Sequence, residues 1–262
     1  MKPVLLCLHG WGGSKESFTE LRAALKGADL EILTPDLPGF GDEPEPDHPW
    51  TTDDYADWVV RWLHRRLRVT SDELRGQRIF LLGHSHGGRI AIKLAARLHP
   101  ATCNPQRETF PIDHLFLCAP AGIRHPRHFK RILGLLLAKT GRFFLSIPGL
   151  NLLQPLGKKL LYTLVRVHDY EKASPVMRET LINVSREDLT PLLHLITMPT
   201  DIFWGEDDRM TPVSDATVLA NGIPGAKGKK HLFPGVRHNL HRVRAMEIAN
   251  VIWSQAMGSE QC

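Results

Sequence analysis

The sequence is poor in the features that would place the chain in several large protein classes. Its 262 residues hold four cysteines, Cys7, Cys103, Cys118 and Cys262, with no C-x-x-C pair among them. That removes the usual redox and zinc signatures. With Cys7 and Cys118 inside apolar runs, it points to a reducing, cytoplasmic setting. Long hydrophobic runs are also missing. The longest candidate, Ile132-Leu133-Gly134-Leu135-Leu136-Leu137-Ala138, is bracketed by Arg131 and Lys139. It falls far short of the roughly 20 residues that span a bilayer, so the chain is expected not to be transmembrane. The apolar start, Val4 to Leu8, is too short for a secretory signal and no small-residue cleavage site follows it. There is no internal repeat, no low-complexity stretch and no zinc-finger, RNP-like or helix-turn-helix pattern, so nucleic acid is not an expected partner.

Acidic residues are absent from one long interval. Between His114 and His168 there is neither Asp nor Glu, while Arg124, Arg127, Lys130, Arg131, Lys139, Arg142, Lys158, Lys159 and Arg166 all fall there. The whole chain carries a formal charge of +5. Two readings stay open for this interval. It is either a solvated basic face or a landing surface for an anionic partner, such as an acyl carrier, a CoA-like phosphate or a lipid surface.

What is present is an ordinary globular composition, 42% hydrophobic and 23% charged, with a regular alternation of elements. Short β-branched or apolar runs are expected as strands over 4–8, 30–34, 78–82, 114–118, 201–204 and 230–233. Amphipathic segments over 17–25, 52–66, 88–98, 212–220 and 244–255 are expected as helices. That alternation predicts βαβ units and a parallel sheet. Residues 123–190 interrupt it. They are Leu-rich at helical spacing and divided by Pro126, Pro148, Pro155 and Pro175, which predicts several short helices. We read residues 1–122 and 191–262 as the core and 123–190 as an inserted helical cap, or lid.

The most informative segment is Gly83-His84-Ser85-His86-Gly87-Gly88, set between the apolar run Ile79–Leu82 and a helix-like stretch. A serine flanked by glycines at a strand-to-helix turn can be held in a sharp, strained bend with its hydroxyl projecting into a cleft. Its hydroxyl is a weak nucleophile unless a base, itself oriented by a carboxylate, stands beside it. Downstream, Glu206, Asp207 and Asp208 follow the fifth strand, and His238 lies in a loop after the last strand. The order is serine, acid, histidine, each beyond the carboxyl end of a strand, where open α/β sheets build their sites. His231 and His241 compete with His238, but the first falls within a strand and the second at a helix start. His9 is expected to pack beneath the neighbouring loop. The pattern His84-x-His86 lacks the acidic and histidine ligands that a binuclear metal site would add after it.

Taken together, the blocks His9-Gly10-Trp11-Gly12-Gly13, Pro35-Asp36-Leu37-Pro38-Gly39-Phe40-Gly41, the serine turn, Gly205–Pro212 and Gly235–His238 resemble the α/β-hydrolase superfamily, in particular its capped serine esterase-like members. The resemblance implies an α/β-hydrolase fold with a mostly parallel, six-stranded sheet flanked by helices. It implies Ser85 as nucleophile, His238 as general base and acid, and Asp208, three residues after Gly205, as the orienting carboxylate. The backbone N–H groups of Trp11 and His86 would form the oxyanion hole. No organic cofactor and no metal is implied. The implied activity is hydrolysis of a carboxylic ester through an acyl-enzyme. Carbon–carbon hydrolysis of ring-fission diketones, (thio)esterase action on an acyl carrier, and a non-catalytic receptor on the same fold are the alternatives. The chain departs from the usual pattern by lacking two strands ahead of the His-Gly loop, which leaves the second strand at a sheet edge.

Overall fold

The computed structural model describes residues 2–68, 76–102, 109–124, 173–227 and 229–257. The chain divides into two compact units, Met1–Arg124 together with Glu179–Cys262, and His125–Arg178. Most of the expected cap, and with it most of the acid-free basic interval, lies outside the described residues.

Six parallel strands form the sheet: β1 (Val4–Leu8), β2 (Glu31–Leu33), β3 (Ile79–His84), β4 (His114–Cys118), β5 (Thr200–Gly205) and β6 (Lys230–Phe233), in the order β2-β1-β3-β4-β5-β6. The short β2 stands at one edge, as expected. Every residue of β1, β3, β4 and β5 is buried, as expected of strands covered by helices on both faces. Strand order reverses direction between β1 and β3. The crevice outside their carboxyl ends is where such sheets receive ligands.

The helices are α1 (Thr19–Ala24), α2 (Thr52–Leu67), α3 (His86–Arg97), α4 (Pro175–Arg186), α5 (Ser214–Gly222), α6 (Leu240–Val243) and α7 (Ala245–Met257) among the described residues. The amphipathic stretch at 17–25 is not one helix. Lys15–Phe18 forms a 3₁₀ turn, and α1 follows it. The helix expected from residue 88 begins instead at His86, so Gly87 and Gly88 lie inside its first turn. The difference is two residues, and glycine stands at both positions because an added Cβ would meet the Leu8 carbonyl at Gly87 and Pro120 at Gly88. Helix α2 is set by a capping box between Thr51 and Asp54. It is tied to α3 by the buried Arg97, which pairs with Asp53 at 2.7 Å and Asp57 at 2.6 Å. Helix α3 packs on β1, β3 and β4, so this ion-pair cluster anchors the helix that starts at the serine turn. No helix among the described residues is long and apolar enough to cross a membrane.

Near the amino end of the sheet, Asp201 on β5 bridges two imidazoles. His114 Nε2 on β4 donates to Oδ2 at 2.8 Å, and His231 Nε2 on β6 donates to Oδ1 at 2.6 Å. His114 also stacks on Phe116 and His231 on Phe203, so three strands are stitched along one face. Burial opposes the charge on Asp201, but the two imidazole bonds prevail and hold its carboxyl down at about 2. A carboxyl depressed on folding adds stability above its unfolded value, near 4, and loses that contribution as the pH falls toward 2. Asp201→Asn should therefore lower unfolding free energy by on the order of 1–2 kcal/mol at neutral pH, after allowance for solvent screening. The difference from the parent should shrink as the pH falls below about 4 and vanish only below about 2. Urea unfolding at several pH values checks this, and a pH-independent difference would show that the carboxylate charge is not the source.

Candidate active site

The turn from β3 to α3 gives Ser85 φ 51° and ψ −111°, a conformation that L-residues seldom adopt. The surroundings enforce it. A Cβ at Gly83 would stand 2.5 Å from the Gly87 carbonyl oxygen, and one at Gly87 would overlap the Leu8 carbonyl. The Ser85 N–H donates to the Cys118 carbonyl at 3.2 Å, and its own carbonyl accepts from Ala121 at 2.9 Å. Backbone bonds on both sides thus clamp the strained residue, and its side chain is left half-buried.

The loop after β1 passes directly over this turn. A Cβ at Gly10 would meet His84 Nδ1 at 3.0 Å and Ser85 Cβ at 3.2 Å. Beneath the loop His9 donates from Nδ1 to the Gly10 carbonyl (2.8 Å) and accepts at Nε2 from the Leu37 N–H (2.9 Å). Those two bonds require the neutral Nδ1–H tautomer. Burial likewise holds His9 below the usual imidazole range, partly offset by the Gly10 bond and by Asp36. Asp36 in turn accepts from the backbone of Lys15 (2.5 Å) and Asp42 (3.0 Å), which pins the Pro35–Gly41 block to the loop. The Trp11 and His86 amides have no acceptor among the described residues. That of His86 also lies at the start of a 12-residue helix, where the backbone dipoles favour negative charge.

Asp208, the acid expected three residues past Gly205, has a fully buried side chain, whereas Glu206 and Asp207 are exposed. Its Oδ1 accepts from the N–H groups of Met210 (2.7 Å) and Thr211 (3.1 Å), and its Oδ2 from the Thr211 hydroxyl at 2.9 Å. His238 Nδ1 completes the set at 2.7 Å from Oδ2. Burial raises the Asp208 carboxyl, but the bonds from His238, Met210 and Thr211 outweigh it and keep the group ionised. Trp204 fixes this loop to β5 by donating from Nε1 to the Thr211 carbonyl at 3.0 Å.

The structure therefore brings Asp208 and His238 into contact, on the same sheet edge as Ser85, Trp11 and His86. Among the described residues neither Ser85 Oγ nor His238 Nε2 has a hydrogen-bond partner. The competing histidines are engaged elsewhere. His231 belongs to the Asp201 bridge, and His241 is buried and pushed down to about 3, chiefly by burial and then by His238 and Arg242. His84 and His86 do not converge on one point: His84 packs against His238 and His241, His86 edge-on against Trp11 and Tyr55.

Comparison with known proteins identifies the family. The alpha/beta hydrolase family model matches residues 5–251. The chain belongs to the alpha/beta hydrolase family. It is 26% identical over 236 residues to Lipase 1 of Psychrobacter immobilis, covering 85% of this chain and 68% of that protein. It is 28% identical over 248 residues to monoacylglycerol lipase abhd6-A of Xenopus laevis, covering 86% and 67%. Among solved structures, MenH from S. aureus superposes with a TM-score of 0.66 at 24% identity, covering all of this chain and 96% of that one. That likeness shows the fold.

Sequence reasoning missed the part that Thr211 plays at the Asp208–His238 pair. Thr211 donates its hydroxyl to Asp208, lies 3.3 Å from His238 Nδ1 and also reaches the Ala119 carbonyl at 3.4 Å. The signal was available: a carboxylate that accepts from residues two and three positions on marks an Asx-type turn, and a hydroxyl there faces back onto it. Thr211→Val should leave the fold intact, cost about 1 kcal/mol of stability and lower kcat about 3- to 10-fold with little change in KM. Steady-state kinetics on an ester substrate and thermal unfolding check this; an unchanged kcat would remove Thr211 from the site.

Proposed function

We propose that the protein hydrolyses carboxylic esters by a serine mechanism, with Ser85 as nucleophile, His238 as general base and acid, and Asp208 as the orienting carboxylate. The observation that carries this reading is the 2.7 Å His238–Asp208 pair on the same edge as a serine held at φ 51°. The imidazole Nδ1–H is engaged by the carboxylate, which leaves Nε2 to take a proton.

In this mechanism Ser85 Oγ attacks the ester carbonyl carbon as its proton passes to His238 Nε2. The carbonyl π electrons move to oxygen, and the amides of Trp11 and His86 hold the resulting oxyanion. Asp208, ionised and buried, stabilises the imidazolium. Collapse of the tetrahedral species expels the alcohol, which takes the proton from His238, and leaves an acyl-Ser85 ester. Water, deprotonated by His238, then attacks the acyl-enzyme and releases the acid. Preorganised amides matter because they need no reorientation as charge develops, and one such donor is worth about 3–4 kcal/mol of barrier. Residues 123–190 are proposed as an inserted helical cap. The relatives named as lipase and monoacylglycerol lipase support lipid esters as the first substrates to try.

Ser85→Ala and His238→Ala should each lower kcat by several orders of magnitude, up to about 10⁶-fold, while leaving circular dichroism unchanged. A panel of p-nitrophenyl esters of increasing chain length, with a monoacylglycerol added, reads both the loss and the acyl preference. A folded Ser85→Ala protein that keeps more than about a tenth of parental activity would contradict the nucleophile assignment.

A further inference from the structure

We propose that His84 is a positioning residue for the base: its imidazole holds the His238 loop against the serine turn and the Gly10 loop at once. This rests on the reading of Ser85 and His238 given above and extends it to a residue that touches no substrate.

His84 is the last residue of β3 and immediately precedes Ser85. Its Nε2–H donates to the backbone carbonyl of His238 at 2.9 Å. That bond fixes the tautomer and leaves the Nδ1 lone pair facing Gly10, whose Cα is so close that an added Cβ would stand 3.0 Å away. The same ring lies 4.8 Å from the His238 ring and 3.8 Å from the His241 ring. His241 sits in α6, three residues beyond His238, with Phe18 edge-on to it at 5.6 Å. The His238 loop is therefore gripped twice, by a hydrogen bond at its carbonyl and by ring packing at the start of the next helix. One side chain joins the nucleophile turn, the oxyanion loop and the base loop.

The charge state suits that role. His238 becomes cationic when it takes the Ser85 proton, and a second cation 4.8 Å away would oppose this. Burial first, then His241, His238 and His9, hold His84 well below the usual imidazole range, against the His238 carbonyl bond. His238 is faced by Asp208, the Thr211 hydroxyl and the neutral rings of His84 and His241. Glu20 and Arg242, beyond His241, pair with each other at 2.9 Å.

The test measures kcat and KM for His84→Phe and His84→Gln, normalised to the fraction of molecules labelled by a fluorophosphonate, with Ser85→Ala as control. Phenylalanine keeps the ring and removes the donor, whereas glutamine keeps a donor near the Nε2 position. His84→Phe should lower kcat per labelled site by about 10- to 100-fold with KM within about threefold of the parent. His84→Gln should recover most of the loss. A His84→Phe enzyme with parental kcat per labelled site, however unstable, would overturn the proposal and leave His84 a structural residue. Activity or labelling retained by Ser85→Ala would instead overturn the nucleophile reading beneath it. If His84→Phe does not fold, ¹⁵N-histidine spectra of the unaltered protein decide. They should show His84 as the neutral Nε2–H tautomer from about pH 5 to 8. An Nδ1–H tautomer, or titration within that range, contradicts the proposal.

Discussion

The close approach of bare backbone at Gly83 and Gly87 is the constraint on which the site depends. At Gly87 the helix touches the end of β1, where its N–H bonds the His9 carbonyl at 3.0 Å, and no side chain fits between them. With the helix start pressed so near two strands, the one residue left to turn the chain, Ser85, is forced to positive φ. The strain stays local because backbone bonds to Cys118 and Ala121 hold the turn from the β4 side. The same proximity sets the loop after β1 over the serine, so the placement of Ser85 beside the Trp11 and His86 amides follows from one packing condition.

The fold also sorts its many histidines by the charge that each can carry. His9, His84, His86 and His241 surround the turn, and burial depresses the basicity of each. Only His238, among these five, meets a carboxylate while remaining partly open, its side chain 15% exposed. The contrast is chemical and not positional: all five imidazoles lie in the same neighbourhood, but one alone has a partner that welcomes positive charge. Another His–carboxylate cluster, around Asp201, lies toward the opposite end of the strands and joins strands together.

Much of this was legible in the sequence because its signals are local. All six apolar runs fell within two residues of the observed strands, with β1, β4 and β6 matched fully, and the parallel order followed from alternation with helices. Asp208, not the exposed Asp207, pairs with His238, at the spacing after Gly205 that the family resemblance implied. The helix start at His86 was placed two residues late, at Gly88, because glycine weakens a helix signal at its beginning. The role of His84 was not legible, since it acts through a contact with a loop far along the chain; the residue type alone, a histidine at a strand end, gives no direction for its side chain.

The central claim is that Ser85 carries the acyl group during turnover. Rapid acid quenching with excess ester, followed by peptide mapping by mass spectrometry, tests it directly. The account predicts a mass increase equal to the acyl group on the peptide containing Ser85, formed before steady state and absent after the substrate is exhausted. Turnover with no adduct on Ser85, or an adduct on another residue, would contradict it.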